Sequence, residues 1–237
     1  MIQDFNIGGA LFIAALVVGI FAARGLLHTH RRKKRLAFIE SYSWPSGLIN
    51  RLHHHYPHLR ATDDTKISNG LKQFFRAYLN GGLQPVAMPS QAADDLWHEF
   101  IIYTKAYQQF CDRAFGRFLH HTPAVALKNG AKSDNEGLRR VWWHACKEEG
   151  IEPRSPAKLP LLFRLDAELD IPNGYRYSPD CKALRERGVS GTQCGGDFSS
   201  SSFDGGTSGL GDGDGGSGAG GDSDGGSDGG GGGCGGD

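Results

Sequence analysis

Hydrophobic residues follow two patterns along this chain, one continuous and one periodic. Residues 7–23 (IGGALFIAALVVGIFAA) carry no charge, whereas from Leu36 onward apolar positions recur every three or four residues. An uncharged run is typical of a membrane-spanning helix, and a recurrence every three or four residues is typical of helices with one buried face. No stretch shows the steady alternation of a half-buried strand. The pattern predicts an all-α protein with one N-terminal transmembrane helix and a helical-bundle body.

The longest periodic segment runs from Ser90 to Pro123 and is predicted to be the core helix of the body. Ser90 is a favoured N-cap residue. The apolar face of this helix comprises Leu96, Trp97, Phe100, Ile101, Thr104, Tyr107, Cys111, Ala114, Phe115 and Phe118. Shorter helices are predicted over residues 48–56, from Asp63 or Thr65 to Gly81, after a capping box at Ser133 and after Pro160.

The uncharged run is about 25 Å long as a helix and reaches a workable span if it extends to Leu27. A basic cluster follows it: Arg31, Arg32, Lys33, Lys34 and Arg35. The positive-inside rule then predicts a single-pass cell-membrane protein with its N-terminus outside and its body and tail in the cytoplasm. A cleaved signal and a buried soluble helix are the alternatives, although residues 1–6 lack the basic start of a signal.

The net charge of zero hides a division within the chain. All 26 Lys and Arg residues lie at or before Arg187, which gives the chain up to that point a charge of +8 and the remainder −8. From Gly188 on, 23 of 50 residues are glycine, a composition that predicts disorder. The expected organisation is an anchor over 1–30, a basic juxtamembrane helix over 31–43, a helical domain over 44–187 and a disordered glycine-rich tail over 188–237.

Four residues of the core segment are candidate metal ligands: Asp95, His98, His120 and His121. Imidazole and carboxylate groups bind zinc and iron, so either ion is a possible cofactor if the chain folds back on itself. Asp94 shares a helical face with His98 because the two are four residues apart. Cys111 lies on the packing stripe and is expected to be a core thiol. A Cys–His nucleophile is disfavoured because no glycine-framed nucleophile turn is present.

Several motifs resemble the glycine-rich-domain-containing-protein-like family, in its bacterial membrane-anchored branch. They are MPS-x4-D-x-LWH from Met88, Phe110-Cys111, Phe115-Gly116, LHHTP from Leu119 and LPLLFRLDAELDIPNG from Leu159. The resemblance covers roughly Trp44 to Cys181 and implies a helical domain with a glycine-rich tail and no established activity. Plant members typically read Trp-His-x-His, whereas this chain has Phe100 at the second position. A two-histidine site is therefore not implied for it.

The sequence favours a membrane protein with a cytoplasmic helical interaction domain, whose partners are the lipid bilayer and an unknown protein. It does not identify an enzyme. A metal-dependent enzyme or sensor that uses the Asp-x-Trp-His and His-His motifs is the alternative. A second alternative is an anionic-lipid or nucleic-acid binder that uses the basic body. Nucleic acid is the less expected partner of the two, because no aromatic residues are interleaved with the basic cluster.

Overall fold

The computed structural model describes residues 2–121, 131–179, 192–194 and 198. Seven helices lie in these ranges, together with two very short strands. The helices are α1 (Ile2–Ser41), α2 (Leu48–His55), α3 (Ala61–Asn80), α4 (Gln91–Ile102), α5 (Thr104–Ala114), α6 (Ala131–Glu148) and α7 (Leu161–Glu168). The strands β1 (Tyr177–Ser178) and β2 (Gln193–Cys194) form a parallel pair. The mostly helical fold predicted from the sequence is confirmed.

Helix α1 has two parts with different surroundings. One segment of it, Leu11–Ser41, is long and apolar enough to cross a membrane, with a mean hydropathy of 2.0 in its most apolar window. That window is exposed, whereas Ile39 near the end of the same helix is completely buried. No break occurs at residue 30, where the predicted anchor ended. The apolar helix therefore continues directly into the core of the body.

Helix α3 is the centre of the body and packs against α1, α4, α6 and α7. Its aromatic pair, Phe74 and Phe75, is fully buried beside Trp97 of α4. Gly70 permits the close approach of α7, because a β-carbon there would lie 3.0 Å from a methyl carbon of Leu165. Burial of these large side chains provides the main driving force for assembly of the bundle.

The predicted core helix is two helices instead of one. Its periodic pattern continues through residue 103, but Tyr103 adopts φ −77° and ψ 58° and ends α4. The Tyr103 hydroxyl donates a hydrogen bond to the carbonyl oxygen of Ser46 at 3.3 Å. The local run Ile101-Ile102-Tyr103-Thr104 consists of weak helix formers, so this tertiary contact can interrupt it without a glycine or proline. Cys111 in α5 is fully buried, as predicted.

Part of the predicted glycine-rich tail packs on the body. The strand β2 pairs with β1, and Phe198 is 8% exposed within a cage of Trp142, Phe163 and Tyr177. The folded part therefore extends beyond the predicted boundary at 187. The rest of the segment predicted to be disordered lies outside the described residues, as does the Ser133 side chain of the predicted capping box.

Candidate metal centre

The first turn of α4 is held in place by two side chains. The Ser90 hydroxyl accepts a hydrogen bond from the Ala93 amide at 3.2 Å, which confirms the predicted N-cap. Asp166 of the α7 region is buried and accepts hydrogen bonds from the Ser90 hydroxyl at 2.6 Å and from the amides of Gln91 at 2.7 Å and Ala92 at 3.2 Å. A carboxylate at this position satisfies amides that have no partner within the helix. The start of α4, the helix that carries Asp94 and His98, is therefore held by α7.

A second network returns the chain after α5 to the start of α4. The Trp97 indole donates to the Tyr107 hydroxyl at 3.1 Å, and that hydroxyl donates to the Leu119 carbonyl oxygen at 2.5 Å. The His121 ring then packs against the Trp97 ring, with 4.6 Å between their centroids. These contacts place His121 over the same face of α4 that carries Asp94 and His98.

The three side chains Asp94, His98 and His121 form a cluster. One possible ligand atom from each lies within 4.8 Å of the others. His121 Nε2 is 2.9 Å from Asp94 Oδ1, and His98 Nδ1 is 3.5 Å from Asp94 Oδ2. Ligand atoms around a tetrahedral zinc ion are separated by about 3.3 Å, given bonds of about 2.0–2.1 Å. The two histidines contact different oxygens of Asp94, and the three residues come close enough for small side-chain adjustments to bring their ligand atoms around one small transition-metal ion.

Exposure differs between the three side chains. His121 is 11% exposed, Asp94 is 23% exposed and His98 is 46% exposed. One side of the cluster therefore faces solvent while the other is packed on Trp97. A site with three protein ligands and one solvent-facing position is the arrangement in which a metal keeps water or substrate as its remaining ligand.

Two of the four ligand candidates predicted from the sequence belong to this cluster, His98 and His121. Asp95 instead accepts a hydrogen bond from the hydroxyl of Tyr56, which directly follows α2. It also accepts one at 3.0 Å from the side-chain amide of Gln91 in its own helix. Burial, reinforced by the Asp95 hydrogen bond, raises the pKa of Tyr56. His120 is exposed and contacts the Phe118 ring. The spacing of four residues between Asp94 and His98 was the sequence signal for the carboxylate that belongs to the cluster.

The two buried cysteines stand apart from this cluster. Burial raises the pKa of the Cys111 and Cys146 thiols, which disfavours the thiolate needed for metal ligation or nucleophilic attack. Cys111 is packed beside Tyr107 in the core. Neither cysteine belongs to the metal-ligand group found among the described residues.

The five basic residues that were predicted to set the membrane topology lie in different environments. Arg31, Arg32, Lys33 and Lys34 are exposed, and Arg35 is half-buried. The Arg32 guanidinium donates to the Asn80 side chain at 2.8 Å and 3.2 Å, next to the end of α3. Arg35 lies against Gly116 after α5, where a β-carbon would be 2.5 Å from its Nη2 atom. Two of the five cations therefore also join α1 to the body.

The chain belongs to the UCP032817-like family, whose sequence model matches residues 34–198. The matched segment begins within the basic cluster and ends at Phe198, so it coincides with the described body and leaves out the exposed apolar part of α1. No curated protein and no solved structure matches the chain. The name of the family states no activity, and the function is therefore inferred from the site.

Proposed function

We propose that this protein is a membrane-anchored metal-binding protein, and that Asp94, His98 and His121 hold the metal ion. The observation that carries the proposal is the convergence of three ligand atoms from α4 and from the segment after α5 within 4.8 Å. Two separate sets of hydrogen bonds bring these residues together: Trp97 and Tyr107 hold the segment after α5, and Asp166 holds the start of α4. Supporting contacts of this kind fix the orientation of ligands around a metal.

The donor set suits zinc or iron. Two imidazoles and one carboxylate occur in catalytic zinc sites, and the same combination on one face of an octahedron binds iron(II) in oxygen-dependent enzymes. In either case the partly exposed side of the cluster would admit a further ligand. A metal bound there would polarise that ligand or bind it reversibly, which corresponds to an enzyme or a sensor.

The exposed apolar part of α1 supports placement in a membrane, and the cations from Arg31 to Arg35 support a cytoplasmic body. The resemblance to glycine-rich-domain-containing-protein-like proteins is consistent with a helical body before a glycine-rich tail. A reporter fused after Asp237 that is active only in the cytoplasm would agree with this topology, and activity outside would contradict it. A protein-interaction role for the body stays a prediction from the sequence.

The metal proposal is tested on the full-length chain, purified in a neutral detergent without a histidine tag. We expect the stripped protein to bind about one zinc or iron(II) ion per chain in calorimetric titration. Asp94→Ala, His98→Ala and His121→Ala should each weaken binding at least tenfold, since each removes one of three ligands. A metal at one hundred times its Kd should also stabilise the fold by about 2.7 kcal/mol.

Matched neighbours supply the controls. His120→Ala removes an adjacent imidazole that lies outside the cluster, and it should leave the affinity unchanged. The residues His53, His54 and His55 could bind metal adventitiously, and His54→Gln tests that source because His54 is exposed. The proposal fails if no stoichiometric binding occurs, or if His120→Ala and His54→Gln lower the affinity as much as His121→Ala does.

A further inference from the structure

A groove of about 890 Å³ opens between α1, α3 and α6, on elements separate from the metal cluster. Its wall has two parts, which differ in whether their charged side chains form ion pairs. In one part, Arg76 forms ion pairs with both Glu40 and Glu148, so one cation is shared between two carboxylates and this part has a net charge of −1. The other part is lined by Arg32, His144 and Lys147. The second part determines what the groove can bind.

The cations of this second part have no carboxylate partner among the described residues. Arg32 donates to the neutral side chain of Asn80, and the Lys147 ammonium lies 4.9 Å from the centre of the Trp143 ring. His144 Nε2 is buried and has no hydrogen-bond partner in the described structure. Burial, together with Arg32, Arg140 and Lys147, lowers the pKa of His144 to about 4. The groove therefore contains a positive field and an unused imidazole nitrogen.

The groove also has a defined position relative to the apolar part of α1. Leu27 is the last large exposed apolar residue of that part, and Arg32 follows five residues later. At 1.5 Å per residue, Arg32 lies about 7.5 Å further along the helix axis. If Leu27 marks the edge of the hydrocarbon, Arg32 reaches the depth of the lipid headgroups, which are about 5–8 Å thick on each side.

We propose that this groove binds the phosphate group of an anionic phospholipid from the membrane that holds α1. Arg32 and Lys147 donate charge-assisted hydrogen bonds to the phosphate oxygens, and the His144 ring lines the groove beside them. The site fits one phosphate because Arg32 and Lys147 give the whole lining a net charge of +1 and Arg32 reaches the headgroup layer. The proposal rests on the membrane placement of α1 and is independent of the metal.

The test uses the full-length chain in neutral detergent and titrates it with short-chain phosphatidylglycerol, with phosphatidylcholine as the uncharged comparison. We expect saturable binding of phosphatidylglycerol alone. Arg32→Gln and Lys147→Gln should each weaken it about tenfold, the effect of losing one charge-assisted bond. Lys34→Gln is the matched control, because it removes one juxtamembrane charge from outside the groove.

Three results would overturn the proposal. Equal affinity of the wild-type, Arg32→Gln and Lys147→Gln proteins would show that the groove is not the site. An equal loss in Lys34→Gln would show that the basic cluster attracts anionic lipid without a specific pocket. Competition by inorganic phosphate at the same concentration as the lipid would identify free phosphate as the ligand. The zinc affinity of the same variants should be unchanged. The result of the lipid titration is therefore independent of the metal proposal.

Discussion

Two partly buried histidines of this body face charges of opposite sign. His121 lies 2.9 Å from the Asp94 carboxylate and beside a second imidazole, so its surroundings attract a cation. His144 has Arg32, Arg140 and Lys147 around it, and these cations together with burial lower its pKa to about 4. The same side chain thus lies once where a cation is favoured and once where an anion is favoured. The charges of the neighbours, rather than the histidine itself, determine the ligand.

The difference also lies in how each histidine is held. His121 depends on contacts between residues distant in sequence, namely Trp97, Tyr107 and Leu119. His144 belongs to the long helix α6, which packs against α3. Loss of one supporting contact should therefore affect the metal cluster more than the groove. The three predictions that follow test this contrast.

The largest effect is expected from Asp166→Ala. This buried carboxylate accepts hydrogen bonds from Ser90 and from the amides of Gln91, Ala92 and Tyr175. Its removal leaves buried amides without partners, so urea unfolding of the full chain should show a loss of about 3–5 kcal/mol in the free energy of unfolding. Metal binding should weaken with it, whereas lipid binding in the groove should persist under conditions in which the protein is folded.

Asp112→Ala is the matched control for that change. Asp112 is exposed on α5, and its carboxylate accepts a hydrogen bond from the exposed Gln108 side chain at 2.9 Å. Its loss should cost less than about 0.5 kcal/mol. Equal destabilisation by the two variants would contradict the role assigned to Asp166.

Tyr107→Phe should have an intermediate effect on stability and a selective effect on the metal cluster. The variant keeps the ring but loses the bonds to Trp97 and to the Leu119 carbonyl oxygen. We expect a loss of about 1–2 kcal/mol in the free energy of unfolding, and metal affinity at least tenfold weaker because His121 is no longer positioned. Tyr103→Phe makes the same chemical change at an exposed contact and should not alter metal affinity. An unchanged metal affinity in Tyr107→Phe would show that Tyr107 does not position His121.

The smallest effect concerns pH and His144. Its pKa is about 4 in the folded protein and about 6.5 in the unfolded chain, so the unfolded state binds more protons between these values. Stability from this group is therefore fully present above pH 6.5 and is lost as the pH falls towards 4. Between pH 7 and 5.5 the loss should be about 1 kcal/mol, measured by urea unfolding.

His144→Gln isolates this contribution, since the amide does not titrate. Between pH 7 and 5.5, the free energy of unfolding of the variant should therefore fall less than that of the wild type. The charged groups around His144 are the cations Arg32, Arg140 and Lys147, together with the Glu40 and Glu148 carboxylates of the same groove. An identical pH dependence in the wild type and in His144→Gln would show that His144 is as accessible to protons in the fold as in the unfolded chain.

Much of the fold was predictable because its causes are local. The apolar run of α1, the N-cap at Ser90, the stripe of α3 and the helix after Pro160 all appear where the pattern predicts them. The break at Tyr103 was not predictable in this way. The residues around it continue a helical period, and the contact that accompanies the break comes from Ser46, which is 57 positions away.

The candidate site was predicted only in part, and for a related reason. The sequence placed His98 and His121 among the ligand candidates, but it could not tell whether His120 or His121 points inward. That choice follows from the Tyr107–Leu119 hydrogen bond, which sets the path of the chain. Likewise, Asp95 is drawn to Tyr56 at the C-terminal end of α2, a contact between residues 39 positions apart. The carboxylate left facing the histidines is Asp94.

The sequence by itself determined the helical class of the protein, its long apolar N-terminal helix and the core position of Cys111. These properties depend on hydrophobic period, capping and length, which act over a few residues. The tertiary structure alone decided which carboxylate meets His121, which cations surround His144, and that Phe198 packs among Trp142, Phe163 and Tyr177. The physical reason is that these arrangements are set by contacts between distant segments, and the charge or ring that each side chain meets there has no local signal in the sequence.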